Sequence, residues 1–280
     1  MLSIFKRFKD RVVVITGAGS GIGRSTARAF ARQGARLHLI DIHRGRVEEA
    51  AAECRLHCPQ AHAHVVDVRD AAAMEALAAD VYARHRRVDV LINNAGVGHS
   101  ALVQETSLDD WRWVLDVNLW GVIHGVHVFV PRLIDQGGDA HIVNTASLAG
   151  LVGVPSMAPY CASKHAVVGL SEALGAELAP FGIRVTAICP GVISTDIIRA
   201  ARLEGAVGER KRRVMDFYEK MGIPPDRVAR DIVRAVRSGA PLATTLGASY
   251  PALLLKRLSP RLYRATAGVA LGRLIGGERA

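Results

Sequence analysis

The chain has 280 residues, of which 50% are hydrophobic, enough to bury the core of one large domain. Its formal net charge of +10 favours anionic partners such as nucleotide phosphates or acidic lipid headgroups. The basic residues form neither an aromatic-interleaved groove nor a known nucleic-acid-binding motif, so we expect no nucleic-acid partner.

The number of cysteines and the length of the apolar runs indicate the cellular location of the protein. Four cysteines are too few for a disulfide framework in a chain of this size, which makes a reducing, intracellular compartment the default. The N-terminus lacks the uninterrupted apolar stretch of a secretory signal. The longest apolar run, around Leu119 to Val130, contains two histidines and ends at Pro131, so we expect it not to span a bilayer. We therefore predict a cytoplasmic protein that is soluble or at most peripheral to a membrane.

Short β-branched runs alternate with helix-forming stretches up to about residue 190. The predicted strands are 11–16, 37–40, 64–66, 88–92, 141–144 and 184–188, and the predicted helices are 22–33, 46–56, 71–86, 108–134 and 159–179. This alternation is typical of a parallel sheet with right-handed crossovers. We therefore predict an α/β fold: a single doubly wound parallel sheet with helices on both of its faces.

The sequence after Gly191 changes character. Residues 195–222 are charged and helix-prone, and a segment inserted there would serve as a substrate lid, although a solvated helix face is the alternative. Pro224 and Pro225 open a further helix through Arg237, and residues 250–280 form a basic amphipathic extension. Because no Pro/Gly/Ser-rich linker divides the chain, we treat residues 1–280 as one domain.

A glycine-rich turn follows the first predicted strand. Glycines permit a tight turn and a close approach of the backbone to a pyrophosphate, and the next helix offers unpaired N–H groups at its positive end. The turn lies in a strand–helix–strand unit, so we predict that it binds the phosphates of a dinucleotide. Its residues are Gly17, Gly19, Ser20, Gly21, Ile22 and Gly23.

Acidic residues follow the next two strands. Asp41 ends the second strand, where a carboxylate accepts hydrogen bonds from ribose hydroxyls and repels a 2′-phosphate. This predicts NAD as the cofactor, with NADP the less favoured alternative because Arg24 and Arg44 are close in sequence. Asp67 and Val68 follow the third strand, where Asp67 could accept a hydrogen bond from the adenine amino group. A turn residue is the alternative reading for both aspartates.

Tyr160 and Lys164 are four residues apart and share one face of a predicted helix. An ordinary tyrosine has a pKa of about 10, and a cation beside it favours the phenolate. Ser147 ends the preceding strand, where its hydroxyl can polarise a carbonyl group. These residues predict a proton-transfer site. Cys161 adjoins the tyrosine but points away from it on a helix, which favours packing.

These motifs resemble the motif series of the short-chain dehydrogenase/reductase family, in the family's order, over roughly residues 10–196. The resemblance rests on Thr16-Gly17-x3-Gly21-x-Gly23, Asn93-Asn94-Ala95-Gly96, Asn118, Ser147, Tyr160-x3-Lys164 and Pro190-Gly191 with Thr195. It implies a Rossmann-type domain and an NAD(H)-dependent oxidoreductase that interconverts a secondary alcohol and a ketone. It also implies a homodimer or homotetramer.

The resemblance implies a role for each catalytic position. Tyr160 would be the general acid/base, and Lys164 would bind the nicotinamide ribose and lower the pKa of the tyrosine. Ser147 would orient the reacting oxygen, and Asn118 would hold a water that continues the proton relay. The remaining cofactor contacts would come from Asn94, Ala95, Gly96, Pro190, Gly191, Ile193 and Thr195.

Several residues admit two readings. Cys54, His57, Cys58, His62 and His64 are close in sequence but lack a second cysteine pair, so we expect no metal site. His99 faces either the substrate pocket or solvent.

The basic C-terminal extension and the N-terminal segment 4–9 could rest on an anionic membrane surface. Packing over the substrate pocket or a neighbouring subunit is the alternative. Apolar surface near the pocket favours a lipophilic small-molecule substrate. Two other functions stay open: a sensor that binds NAD(H), and a membrane-peripheral protein without turnover.

Overall fold

Strands and helices alternate along the chain in the computed structural model, which describes residues 8–194, 201–245 and 250–275. The strands are β1 (Val12–Thr16), β2 (Arg36–Asp41), β3 (Ala61–Val65), β4 (Val90–Asn93), β5 (His99–Ser100), β6 (Ala140–Thr145), β7 (Ile183–Pro190), β8 (Arg202–Leu203) and β9 (Leu242–Thr245). The α-helices are α1 (Gly21–Ala31), α2 (Arg44–Arg55), α3 (Ala71–His85), α4 (Leu108–Leu115), α5 (Gly121–Asp135), α6 (Ala158–Leu178), α7 (Gly205–Gly208), α8 (Lys211–Met221), α9 (Pro225–Ser238), α10 (Tyr250–Leu258) and α11 (Pro260–Ile275).

Seven parallel strands form the central sheet in the order β3-β2-β1-β4-β6-β7-β9. Strand β1 lies between β2 and β4, so the strand order reverses at that point. A crevice forms at the carboxyl ends of the strands where such a reversal occurs, and ligands bind there in doubly wound sheets. The predicted fold class is confirmed.

Alternate residues of β1 pack on opposite faces of the sheet. Val13 and Ile15 lie in a core cluster with Phe30 of α1 and several apolar residues of α9. Val12 and Val14 lie in the other cluster, which includes Phe129 of α5. All five residues of β1 are buried, as expected for a central parallel strand covered by helices on both faces.

The third strand differs from its prediction. It covers Ala61–Val65 rather than 64–66, so Asp67 lies two residues beyond its end. The alanines and histidines at its start have little intrinsic strand propensity, but the backbone pairs residue by residue with β2, Leu37 opposite Ala61. Pairing in the sheet overrides propensity here.

A second, two-stranded sheet accompanies the predicted single sheet. Strand β5 pairs in parallel with β8, with His99 opposite Arg202 and Ser100 opposite Leu203. Within the predicted lid, the structure describes β8, α7 and α8, whereas residues 195–200 lie outside the described residues.

The helix predicted over 108–134 contains an irregularity. A π-helical turn, Asp116–Trp120, joins α4 to α5. The whole stretch Leu108–Asp135 is long and apolar enough to cross a membrane by length and composition, which goes beyond the shorter run considered above. A core helix of a globular protein passes the same test, and α5 carries the buried Val128, Phe129 and Leu133 of the core. The stretch is therefore weak evidence for a membrane span.

Candidate active site

The glycine-rich turn connects β1 to α1 with no room for side chains. A Cβ atom on Gly17, whose φ is +64°, would lie 2.8 Å from the Cα of Ala95. A Cβ on Gly23 would lie 2.1 Å from the carbonyl oxygen of Gly17. Only glycine at these positions lets the start of α1 approach the end of β1 so closely.

Asp41 faces this turn from the end of β2. Its Oδ2 accepts a hydrogen bond from the backbone N–H of Gly19 at 2.9 Å, and its Oδ1 accepts one from His43 at 3.0 Å. A Cβ on Gly19 would lie 2.8 Å from the same Oδ2. The carboxylate is therefore fixed beside the glycine turn.

Both arginines that kept NADP open are paired with carboxylates. The Nη2 of Arg24 lies 2.5 Å from Oε1 of Glu53, and its Nη1 lies 3.5 Å from Oε2 of Glu49. Arg44 pairs with Glu48 one turn along α2, at 3.3 Å. The Arg24 pair is partly buried, whereas the Arg44 pair is exposed to solvent.

Asp67 and Val68 are engaged locally. The Asp67 carboxylate accepts from the backbone and guanidinium of Arg69, and the side-chain hydrogen bond lowers the pKa of Asp67. This geometry matches the turn reading. Val68 is buried against the start of α5: a Cβ on Gly121 would lie 2.7 Å from its Cγ2, and its carbonyl oxygen lies 2.8 Å from Nδ1 of His124.

Ser147, Tyr160 and Lys164 meet at the carboxyl end of β6, as predicted. Burial raises the pKa of Tyr160 above its usual value, and a hydrogen bond with Ser147 lowers it in part. The Ser147 hydroxyl also accepts from the backbone N–H of Ala149 at 3.1 Å, which fixes its position. The phenol and the hydroxyl are thus close enough to influence each other, which suits acid/base work on a substrate oxygen.

Lys164 is almost fully buried, with 3% of its surface exposed. Its Nζ lies 5.7 Å from the centre of the Tyr160 ring and donates to the carbonyl oxygen of Thr145 at 2.8 Å. Burial lowers the pKa of Lys164 to about 8. The ammonium group is therefore close to the tyrosine but directed at the backbone of β6.

Asn118 lies in the π-helical turn and is fully buried. Its Oδ1 accepts from the N–H of Val97 at 2.8 Å, and its Nδ2 donates to the carbonyl oxygen of Val97 at 3.0 Å. Nδ2 also lies 3.3 Å from the Oγ of Ser163. π-Helical turns occur frequently at functional sites. The side-chain amide positions the loop after β4, so any water held by this residue would bind its backbone.

Asn94 joins the glycine turn to the neighbouring strands. Its Nδ2 donates to the carbonyl oxygens of Thr16 at 3.0 Å and Gly17 at 3.2 Å. Its Oδ1 accepts from the Thr145 hydroxyl at 3.4 Å. Asn94 thus ties β1, β4 and β6 together at their carboxyl ends. Gly96 follows, where a Cβ would lie 3.6 Å from Nζ of Lys164.

The segment after β7 continues along the same edge. Gly191 donates to the carbonyl oxygen of Thr245 at 2.9 Å. Ile193 is 6% exposed and forms a parallel bridge with Ile223, just before α9. The predicted cofactor residue Thr195 lies outside the described residues.

Sequence reasoning missed three features of the site. Tyr218 of α8 lies close enough to Tyr160 to raise the pKa of its phenol. Lys256 of α10 donates to the carbonyl oxygen of Leu151 at 2.6 Å, and Tyr263 of α11 donates to that of Gly153 at 2.8 Å. The C-terminal helices therefore contact the loop after β6. No sequence motif marks these contacts, which join segments far apart in the chain.

Two smaller expectations concern single side chains. Cys161 is buried, and its Sγ lies 3.2 Å from the backbone N of Val154, in agreement with a packing role. His99 is fully buried on β5 rather than facing solvent, and burial lowers its pKa.

The residues at this edge fit a dinucleotide. The first turn of α1 carries no acidic residue, and the side chain of Ser20 makes no capping hydrogen bond, so the helix N-terminus is free to bind phosphates. Gly17, Gly19 and Gly23 lack the Cβ atoms that would contact neighbouring residues at 2.1–2.8 Å. Asp41 lies beside Gly19 of the glycine turn, and Lys164 lies beside Gly96, after β4.

Comparisons with known proteins agree with this geometry. A family model described as short chain dehydrogenase matches residues 11–205. The chain is 38% identical over 266 residues to the "Probable oxidoreductase EphD" of Mycobacterium tuberculosis, covering 93% of this chain and 45% of that protein. It therefore spans about half the length of that relative.

Two further proteins are similar over most of their own length. The meso-2,3-butanediol dehydrogenase of Serratia marcescens is 41% identical over 191 residues, covering 68% of this chain and 74% of that protein. A short chain dehydrogenase/reductase from Burkholderia phymatum, solved in complex with NAD, superposes with a TM-score of 0.85 at 34% identity. That superposition covers 91% of this chain and 96% of the solved chain.

Proposed function

This chain belongs to the short-chain dehydrogenase/reductase family, and we propose that it is an NAD(H)-dependent oxidoreductase that interconverts a secondary alcohol and a ketone. The observation that carries the proposal is the meeting of Ser147, Tyr160 and Lys164 at the carboxyl end of β6, with the buried Nζ of Lys164 5.7 Å from the centre of the Tyr160 ring. A phenol between a hydroxyl group and a cation is suited to moving a proton to or from a substrate oxygen.

The chemistry divides between cofactor and protein. NAD, when bound, supplies the hydride acceptor for oxidation, and NADH the donor for reduction. Ser147 holds the substrate oxygen next to Tyr160. In oxidation the phenolate oxygen of Tyr160 takes the proton from the alcohol, and in reduction the phenol returns a proton to the ketone oxygen. Burial favours the protonated phenol, and the neighbouring Ser147 hydroxyl offsets this effect on the pKa of Tyr160 only in part.

Lys164 has two roles in this proposal. Its ammonium group binds the nicotinamide ribose hydroxyls, and its positive charge favours the tyrosinate. Its pKa of about 8 means that it is mostly charged near neutral pH and loses its charge on the alkaline side. Asn118 fixes the loop through Val97, and its backbone is the candidate site for the water of the proton relay.

NAD is the proposed cofactor rather than NADP. Asp41 is held in place by two backbone N–H groups and presents a fixed negative charge where a 2′-phosphate would bind. Arg24 and Arg44 are paired with glutamates and do not offset that charge. The other proposed cofactor contacts are the glycine turn, Asp67, Val68, Asn94, Ala95, Gly96, Pro190, Gly191, Ile193 and Thr195.

The substrate is proposed to be an apolar alcohol or ketone. The loop after β6 is rich in apolar residues, including Leu148, Leu151, Val154 and Met157, and the C-terminal helices contact it. Residues 195–222 are the proposed lid of this pocket. Tyr218 is the lid residue proposed to lie near the phenol of Tyr160.

Self-association and membrane contact are further proposals. The long helices α5 and α6 are the proposed interface of a homodimer or homotetramer. On α10 and α11, Leu254, Leu258 and Leu262 are exposed, and Arg257 and Arg261 are exposed close to them in sequence. Apolar and basic side chains together are suited to an anionic membrane surface. We propose a cytoplasmic enzyme with peripheral membrane contact through these helices.

A substrate panel tests the function directly. NADH formation or consumption is followed by absorbance with short diols, cyclic alcohols and long-chain or polycyclic secondary alcohols. We expect turnover that increases with the apolar surface of the substrate. Faster turnover of short diols than of all apolar alcohols would contradict the proposal of an apolar substrate. No turnover across the panel would contradict the proposed oxidoreductase activity.

A further inference from the structure

Four histidines meet on one face of the sheet edge formed by β2 and β3. His38 of β2 lies directly opposite His62 of β3 in the strand register, and His64 follows two residues later on the same face. His85 comes from the end of α3, with its ring centre 5.0 Å from that of His38. Neighbouring strands and a covering helix thus bring together residues that are up to 47 positions apart in the sequence.

This cluster differs from the one considered in the sequence. Cys54 and Cys58 lie in the core cluster with Leu37 and Ala61, on the opposite face of the sheet from the histidines. The cysteines therefore cannot share a metal with His62 or His64. The new members, His38 and His85, replace them.

Three of the histidines have the spacing of a metal site. One ring nitrogen from each of His38, His62 and His85 lies within 4.8 Å of the others. A tetrahedral zinc ion bound at about 2.0–2.1 Å places neighbouring nitrogens about 3.3 Å apart, so modest ring rotations would complete the site.

Buried nitrogens without partners point to a ligand. In the described part of the chain, Nε2 of His38 and Nε2 of His85 are buried and have no hydrogen-bond partner. His38 is fully buried, so its unpaired nitrogen is costly. Stacking of the rings accounts for their packing but leaves these nitrogens unsatisfied. A metal ion would satisfy them.

His64 completes the arrangement as an outer partner. Nδ1 of His38 lies 2.9 Å from Nε2 of His64. If Nδ1 of His38 carries the proton and donates it to His64, Nε2 of His38 keeps a free lone pair that can bind a metal ion. Metal-ligating histidines typically make such a hydrogen bond through their other ring nitrogen.

The surrounding charges are compatible with neutral ligands. Burial lowers the pKa of His38 to about 3 and also lowers the pKa values of His62, His64 and His85. The carboxylate of Asp80 raises the pKa values of all four rings, but it is paired with Arg84 at 2.9 Å. Arg55 near His62 and Arg36 near His85 add further positive charge around the cluster.

We propose that His38, His62 and His85 bind one divalent transition-metal ion, oriented by His64, and that this ion fastens the edge strand β3 and helix α3 to β2. The site involves none of the residues assigned above to catalysis or cofactor binding. Its role is therefore structural, and a bound ion stabilises the folded chain by mass action.

Zinc binding to the full chain tests the proposal. The protein is freed of metal with a chelator and titrated with Zn²⁺ by calorimetry, and Co²⁺ is used as a spectroscopic probe. We expect one equivalent of Zn²⁺, a Zn²⁺-dependent rise in melting temperature, and the intense visible absorption of four-coordinate Co²⁺. His62→Gln and His85→Gln, both at partly exposed positions, should each weaken binding at least tenfold.

His57→Gln is the matched control, because His57 is exposed and close in sequence but outside the cluster. It should bind Zn²⁺ as the unmodified chain does. Far-UV circular dichroism in the presence of chelator checks that each variant folds. If one variant does not fold, the other variant and the Co²⁺ spectrum test whether the cluster binds the metal. Absence of stoichiometric binding, or weakening by His57→Gln but not by the cluster variants, would overturn the proposal.

Discussion

The side-chain amide of Asn118 holds the backbone of Val97 at both of its polar groups, with Oδ1 2.8 Å from the N–H nitrogen and Nδ2 3.0 Å from the carbonyl oxygen. Val97 directly follows Gly96, which lies against Lys164. A buried residue in a π-helical turn thus sets the path of the chain beside the proposed proton-transfer residues.

Asn118→Leu tests this relationship. The substitution keeps side-chain volume but leaves two backbone groups of Val97 without partners, at about 1–3 kcal/mol for each buried group. We expect a lower free energy of unfolding in urea together with a lower kcat. Val97→Ala keeps both hydrogen bonds, since they involve only the backbone, and should lose less activity. Equal kcat values for Asn118→Leu and the unmodified chain would contradict a positioning role.

Tyr160→Phe removes the proposed acid/base while retaining the ring. Turnover should fall by about 10²–10⁴-fold, the usual contribution of a positioned proton-transfer group. NADH affinity, measured by fluorescence titration, should change little. Tyr82→Phe is the control, because the Tyr82 hydroxyl donates to Gln136 at 2.9 Å, away from the site. Unchanged turnover of Tyr160→Phe over the substrate panel would refute the mechanism.

Asp41→Asn tests cofactor preference. The amide oxygen can still accept the hydrogen bond from Gly19, but the negative charge that repels a 2′-phosphate is lost. We expect the ratio of NADPH to NADH affinity to rise at least tenfold in fluorescence titrations. Asp67→Asn should leave that ratio unchanged, because its carboxylate is paired with Arg69. Tighter binding of NADPH than NADH by the unmodified chain would refute the role of Asp41.

His141 makes stability depend on pH. The Thr186 hydroxyl donates to the carbonyl oxygen of Ala240, so it accepts from Nε2–H of His141 at 2.7 Å. Burial lowers the pKa of His141 to about 3, so between about pH 6.5 and 3 the unfolded chain binds a proton that the folded chain does not. The free energy of unfolding therefore falls as the pH falls through this window.

His141→Gln provides the comparison for that prediction. Glutamine has an N–H donor but does not titrate, so its stability loss between about pH 7 and pH 5 should be smaller than that of the unmodified chain. His38 titrates in the same window, but it is present in both proteins and cancels in the difference. Urea unfolding at each pH gives the measurement, and equal losses in the two proteins would contradict the assignment.

Removal of residues 250–280 tests the C-terminal helices. The truncation breaks the hydrogen bonds from Lys256 to Leu151 and from Tyr263 to Gly153. We expect a higher KM for apolar substrates with unchanged NADH affinity, because the loop after β6 loses its support. Cosedimentation with anionic liposomes checks the membrane proposal. Equal sedimentation of the full and truncated chains would exclude these helices as the membrane contact.

The parts of the site that sequence predicts are those encoded locally. The glycine turn, Asp41 and the Tyr160–Lys164 pair each depend on residues a few positions apart, and the alternating elements place them at one edge of the sheet. The π-helical turn at Asp116–Trp120 was missed because its apolar spacing continues that of the flanking helices.

Other features depend on contacts between distant segments. Arg24 and Glu53 pair only once α1 packs against α2, so sequence left Arg24 open to a phosphate. Tyr218 of the proposed lid influences the pKa of Tyr160 only because the fold brings them near each other. The histidine cluster needed the register of β2 and β3, which brings His38 opposite His62 and leaves the neighbouring cysteines on the other face.

The pairing of β5 with β8 has a consequence for engineering and divergence. Hydrogen bonds join Arg202 to Gly98 and Glu204 to Ser100, so the loop after β4 and the described part of the proposed lid form one ladder. A chimera that exchanges only one of these segments with a relative would present mismatched edges. Substrate selectivity should therefore transfer between relatives only when both segments are grafted together. Among natural relatives, the sequences of the two segments should covary.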